Sequence, residues 1–92
     1  MIKSFAHKGL ELLFLTGNKA GIQAQHANRI RLILAQLQQA RTIDDLRIPT
    51  LLLHELKGDR KGTWSVIVQA NWRITFRFAD GDADVVDYED YH

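Results

Sequence analysis

Trp72-Arg-Ile-Thr-Phe-Arg-Phe78, Ala79-Asp-Gly-Asp82 and Ala83-Asp-Val-Val-Asp-Tyr-Glu-Asp-Tyr-His92 form one continuous stretch. In its first part Trp72, Ile74, Phe76 and Phe78 alternate with Arg73, Thr75 and Arg77. That period of two puts successive side chains on opposite faces of a strand. Asp80-Gly81 is the kind of dipeptide whose two-residue turn matches the twist of the strands it joins. The stretch therefore reads as a β-hairpin centred between Asp80 and Gly81. Without a bulge, partners sum to about 161 in residue number. Arg73 then faces Tyr88, Trp72 faces Glu89, and Asp90, Tyr91 and His92 arrive beside Asn71. A cation, a phenol, a carboxylate and an imidazole converge at the end of the hairpin away from its turn.

Working back toward the N-terminus, residues 63–69 alternate as well, with Trp64, Val66 and Val68 on one face and Ser65 and Ile67 on the other. Ala70-Asn71 supplies the turn into Trp72. Residues 51–56 are an apolar run broken at His54 and Glu55 and read as a further strand, followed by a turn cluster at 58–62. Thr42 is an N-cap for a helix of a turn or two before Pro49. Residues 23–40 carry Ala27, Ile30, Leu34 and Leu37 at helical spacing, with Ile33 widening the stripe. Leu10, Leu13 and Phe14 predict a helix at 7–16, stopped by Gly17-Asn18. Residues 2–5 are β-prone and suit an edge strand. The order is β-α-α-(short α)-β-β-β-β. The fold class is α+β: two N-terminal helices packed on one face of a small twisted, mostly antiparallel sheet. Arg73 and Arg77 then point to the other face, which is left partly open.

Ninety-two residues make a single domain spanning 1–92, since two would each be too small to bury a core. There is no cysteine and hence no disulfide framework, which suits a reducing cytosol. No apolar run approaches the roughly 20 residues of a membrane helix, so no membrane association is expected and the localisation expected is cytoplasmic. The net charge of +1 conceals an asymmetry. Residues 1–41 carry six Lys or Arg against Glu11 alone, whereas residues 80–92 carry six acids and no base. A basic body attracts phosphates, and an acidic final strand can also pair with that body in the fold.

His54 precedes a loop containing Lys57, Arg60 and Lys61. Three cations in five residues can hold a phosphate, or simply keep a hairpin turn solvated. Arg60, Lys61 and Arg77 are candidate RNA-binding residues. For Arg77, pairing with Asp84 or Asp87 across the hairpin is the competing role. Arg73, at the far strand end, is better placed for a ligand. Cleavage of RNA by its own 2′-hydroxyl needs a base, an acid and cations for the charged phosphorane. Two histidines can supply the proton transfers near neutral pH. The histidines at 7, 26, 54 and 92 show no local ligand pair, so neither a metal nor another cofactor is expected. His7 and His26 read as satisfied hydrogen-bond partners or surface residues.

Three separated motifs then carry a resemblance: His54-x-Leu-Lys57-Gly-Asp-Arg-x-Gly-x-Trp64-Ser, Ala70-Asn-Trp-Arg73-Ile-Thr-Phe and Val86-x-Tyr-Glu-Asp-Tyr-His92. With Ile2-Lys-Ser-Phe-x-His-Lys-Gly-Leu10 they make the chain, over essentially its whole length, similar to the HigB toxins of the RelE/ParE toxin superfamily. The resemblance implies a ribosome-dependent endoribonuclease that cuts messenger RNA in the ribosomal A site. It also implies a partner, a HigA-like helix-turn-helix antitoxin that holds the toxin inactive. Carried over by motif, the site is His54, Lys57, Arg73, Asp90, Tyr91 and His92. His54 and His92 are the base and acid candidates, in either order. Asp90 orients an imidazole, Tyr91 stacks on a base or donates to the phosphate, and Lys57 and Arg73 stabilise the phosphorane. Gln69 departs from the family pattern, in which an arginine is frequent before Ala-Asn-Trp-Arg. Two other functions fit parts of the pattern. A gyrase inhibitor of the ParE branch has no need of the terminal Asp-Tyr-His, and a plain RNA- or ribosome-binding module has no use for two histidines.

Overall fold

The helical stripe at Ala27, Ile30, Ile33, Leu34 and Leu37 forms α2 (Ala27–Gln39), and all five side chains are buried. A tighter 3-10 turn, Ala24–His26, leads into it, so the helical segment expected at 23–40 is regular only from Ala27. Before it runs α1 (Lys8–Thr16), which buries Leu10 and Leu13. His7 caps α1, its Nδ1 accepting from the Leu10 N–H at 3.2 Å. Gly17 closes the helix at φ 79°, a left-handed conformation that glycine adopts at little cost. The start of α1 lies so close to the loop before α2 that a Cβ on Gly9 would sit 2.7 Å from the Gly21 carbonyl oxygen. The computed structural model describes residues 1–91.

The sheet has strands β1 (His54–Glu55), β2 (Thr63–Gln69), β3 (Trp72–Ala79) and β4 (Asp82–Asp90), in that spatial order and antiparallel throughout. Residues 2–5 run beside β4 in parallel, bridging at Ile2–Ala83 and Phe5–Val86. The two helices cover one face. Val66, Val68, Ile74, Phe76, Ala83, Val86 and Tyr88 meet Leu10, Leu13, Ile30, Ile33, Leu34 and Leu37 in one contiguous core. No helix among the described residues is long and apolar enough to cross a membrane.

Two expectations need correcting. The apolar run 51–56 is not one strand. Pro49 starts a 3-10 turn, Pro49–Leu51, and Leu52 is left-handed at φ 48°. Only His54 and Glu55 pair with β2. Proline lacks an N–H for a strand ladder and is preset for the first turn of a helix. Leu51 and Leu53 are apolar because they pack on the core from this turn.

The second correction concerns the hairpin. Near the turn the pairing follows the simple register, with Ala79 opposite Asp82 and Arg77 opposite Asp84. Asp80 and Gly81 both have positive φ, as the favoured two-residue turn requires. Between Thr75 and Arg77 the register then shifts. Val85, at φ 52°, is an extra residue bulging from β4. Beyond it Arg73 faces Glu89 rather than Tyr88, and Trp72 faces Asp90 rather than Glu89.

The reason lies in what each register buries. The unbroken pairing puts Asp87 and Glu89 opposite Ile74 and Trp72, on the helix-covered face. A one-residue slip exchanges the two faces of a strand, so the bulge sends Val86 and Tyr88 into the core and the carboxylates out. Its cost is a β-branched residue in left-handed space. Val85 is 46% exposed, so little burial is at stake there. Val85→Gly is expected to raise stability in urea unfolding by about 0.5–1 kcal/mol, since relief of about 1–2 kcal/mol outweighs the added backbone entropy.

Candidate active site

Register fixes which side chains share the face away from the helices. His54 pairs with Ser65, Ser65 with Thr75 and Thr75 with Asp87, so these four form one row across the sheet. Ile67, Arg73 and Glu89 form the next row, and Thr63, Arg77 and Asp84 the row on the other side. By strand alternation Tyr91 continues the face of Glu89, while Asp90, opposite Trp72, belongs to the helix face at the sheet's end.

The middle of this face is roofed. Ser65 and Thr75 are each 1% exposed although no helix covers them. Part of the cover over Thr75 comes from the β1–β2 connection, whose 3-10 turn Gly58–Arg60 carries Arg60 across to β4. Arg60 reaches β4 and grips Glu89 bidentately, Nη1 to Oε1 at 2.9 Å and Nη2 to Oε2 at 2.6 Å. The Thr75 hydroxyl donates to the same carboxylate. Beneath the guanidinium lies a cavity of about 230 Å³, lined by Thr63, Thr75, Arg77, Val85, Asp87 and the Arg60–Glu89 pair.

The Arg60 guanidinium holds the Glu89 carboxyl below the usual carboxylate range. Thr75 adds to this, and partial burial acts the other way. Glu89 in turn raises the pKa of Arg60; desolvation opposes this, and Tyr91 and Asp87 contribute as neighbours. A carboxyl depressed in the folded state stabilises the fold above its unfolded pKa, near 4.3, and that stability is lost as pH falls through the depressed value. The melting temperature of the parent should therefore fall more steeply than that of Glu89→Gln from about pH 5 to pH 3. Because 41% of the Arg60 side chain is exposed, the difference is modest.

The residues singled out from sequence are placed as follows. His54 is exposed on β1, its Nδ1 3.4 Å from both the Ser65 hydroxyl and the Leu52 carbonyl oxygen. Lys57 and Lys61 are exposed at the two ends of the 58–60 turn. Arg73 folds back on the β2–β3 turn, Nη1 donating to the carbonyls of Ala70 at 2.7 Å and Trp72 at 3.2 Å. Arg77 stands opposite Asp84 but makes no ion pair among the described residues; its guanidinium lies over Gly62. Asp90 is exposed. Tyr91 is tied by its main-chain N–H to the Asn71 carbonyl at 2.8 Å. His92 lies outside the described residues.

His54 and the end of β4 sit on opposite edges of the sheet: Asp87, in the row of His54, is three strand spacings or about 14 Å away in main chain, and Asp90 lies three residues farther along β4. They bracket the face rather than touch, and the space between them carries Arg73 and Glu89. The chemistry on offer is one imidazole, a phenol and several cations around a shallow polar trough. Among the described residues no three His, Cys, Asp or Glu side chains gather closely enough to hold a metal ion.

Glu89 and Thr75 are not among the candidates drawn from the sequence, and Arg60, a candidate RNA-binding residue there, is engaged by Glu89. A signal for Glu89 was present, because the unbroken register buried that carboxylate.

The discounted histidines have structural work. His26 is 2% exposed. Its Nε2 lies 2.8 Å from Gln69 Oε1 and its Nδ1 2.6 Å from the Tyr88 hydroxyl, contacts that a ring protonated on Nε2 satisfies as donor and acceptor. Burial pushes the Tyr88 phenol up. His7 packs edge-on against Tyr88, with ring centres 5.4 Å apart. Gln69, the departure from the family pattern, thus anchors the start of α2 to β2.

Comparison with known proteins agrees over the whole chain. Residues 3–92 match the family model described as RelE-like toxin of type II toxin–antitoxin system HigB. A protein of Proteus vulgaris named Endoribonuclease HigB is 53% identical over 92 residues, covering 100% of both chains. With its helices, its sheet and the sequence match in agreement, the chain belongs to the HigB-like toxins, the RelE-like toxins of type II toxin–antitoxin systems.

Proposed function

We propose that this toxin is an endoribonuclease that cuts messenger RNA in the ribosomal A site and so stops translation. The observation that carries the reading is full-length identity of 53% with a relative named as an endoribonuclease. The polar face bracketed by His54 and the end of β4 supports it. One imidazole takes the proton of a 2′-hydroxyl, whose oxygen attacks the adjacent phosphorus. The bond to the 5′ oxygen breaks, and the second imidazole protonates that oxygen. The products are a 2′,3′-cyclic phosphate and a 5′-hydroxyl end. His54 and His92 are the pair that exchange these protons, and Asp90 orients an imidazole. Lys57 and Arg73 stabilise the charge on the phosphorane, and Tyr91 meets a base or the phosphate. No metal takes part. Arg77 and Lys61 attract the RNA backbone. In the cytoplasm an antitoxin, implied by the family, keeps the toxin inactive, and we take it to be a HigA-like helix-turn-helix protein.

The test is induced expression in a bacterial host with messenger RNA mapped for new 5′ ends. New ends within translated codons are expected. Arrested growth with no new ends would overturn the reading, and inhibited gyrase under those conditions would place the chain with the ParE-type toxins.

A further inference from the structure

The terminal strand has a mechanical problem that the Arg60–Glu89 pair solves. Residues 2–5 flank β4 only as far as Val86; beyond it β4 pairs on one side alone, and its last ladder partners are Trp72 and Asn71 at the tip of a turn. Chain ends in such positions fray unless something ties them down. Here the two residues before Asp90 are fixed on opposite faces. Tyr88 is held in the helix layer by His26, and Glu89 is held on the other face by Arg60 and Thr75. Arg60 is only three residues from Lys57 and six from His54, in the connection that leaves β1. It is therefore the link, across 29 residues of sequence, between the two halves of the site.

We propose that Arg60 and Glu89 are positioning residues, a clamp that sets the end of β4 against the His54–Lys57 segment at the spacing cleavage requires. This rests on the nuclease reading above. Arg60 then acts through Glu89 and not as a cation for RNA. The geometry favours this role: both terminal nitrogens of the guanidinium are committed to the carboxylate, and Thr75 adds a third bond to it. A fork of this kind has a defined direction as well as a charge. Misplacing reacting groups by about 1 Å can cost on the order of 10²-fold in rate.

The two roles predict opposite signs. If Arg60 were a phosphate-binding cation restrained by Glu89, Glu89→Gln would free it and cleavage would rise. Arg60→Lys, which keeps the charge, would change little. For a clamp, both variants lose cleavage, because neither glutamine nor lysine rebuilds a charged fork. The experiment is single-turnover cleavage of message on programmed ribosomes, at saturating and limiting ribosome, with melting temperatures for every variant. We expect Glu89→Gln, Arg60→Lys and Thr75→Val to cut at least about tenfold more slowly at saturation. Half-saturating ribosome concentration should stay within about twofold of the parent's. A variant that unfolds is read against Thr75→Ser, which keeps the hydroxyl and should restore the rate. Glu89→Gln cutting at or above the parental rate, or Arg60→Lys cutting at it, overturns the clamp. So does a loss confined to ribosome affinity. Amide exchange at Tyr91 separates this from the nuclease reading, since it needs no cleavage. A parent that cuts nothing sinks the nuclease reading, and the clamp still predicts faster Tyr91 exchange in Glu89→Gln; unchanged exchange there overturns it.

Discussion

Phe76→Ala is expected to lower the stability of the folded chain by about 3–5 kcal/mol, the usual cost of removing a fully buried aromatic side chain. Phe76 is 0% exposed and lies in the central part of β3. In a chain of this length such a loss shifts the melting temperature downward by roughly 15–30 °C, against a total stability of about 5–15 kcal/mol. The residue also has a particular place in the register: the bulge of β4 lies opposite it, between the Thr75–Asp87 and Arg77–Asp84 pairs. Val86, turned inward by the bulge, joins the same buried cluster as Phe76. Phe78 is the control, on the same strand and the same face but only half-buried near the turn. Phe78→Ala should cost less than half as much. Urea unfolding of both variants checks the difference, and equal losses would mean that the core does not centre on Phe76.

The same few residues separate what is legible in the sequence from what is not. The helices and the two central strands were legible because their signals are local: a 3.6-residue stripe at Ala27–Leu37, and strict alternation from Trp72 to Phe78. The turn at Asp80-Gly81 was legible for the same reason, since its chemistry lies in two residues. What failed was arithmetic carried beyond a bulge. A single inserted residue leaves no mark of its own in composition, but Ala83, Val86 and Tyr88 break the alternation of β4 by one place. Putting Asp87 and Glu89 outside requires that break, which burial energetics demanded all along. The short β1 was hidden because Leu51 and Leu53 are apolar for the core's sake and not for a strand's. The motifs name candidate site residues one at a time, but not their arrangement: that Arg60 crosses the face to Glu89 depends on how a loop folds back, a contact 29 residues apart with no periodic signature.

His54→Gln is expected to reduce cleavage by about 10²–10⁴-fold at saturating ribosome, the range that a positioned general acid or base contributes. Glutamine keeps a similar reach and can still hydrogen-bond, but it cannot take up or release a proton near neutral pH. The substitution should spare the fold. His54 is exposed at the outer edge of the sheet, with long contacts of 3.4 Å each to the Ser65 hydroxyl and to the Leu52 carbonyl. On the proposed function, binding to the ribosome should also be kept, because a single edge imidazole is a small part of a region that also carries Lys57, Lys61, Arg73 and Arg77. Cosedimentation with ribosomes and single-turnover cleavage, measured on the same preparation, separate the two effects. Binding lost in parallel with cleavage would reduce His54 to a contact residue. A cleavage rate within about tenfold of the parent would move the missing proton transfer to another group, and the phenol of Tyr91 would be the nearest candidate at the end of β4.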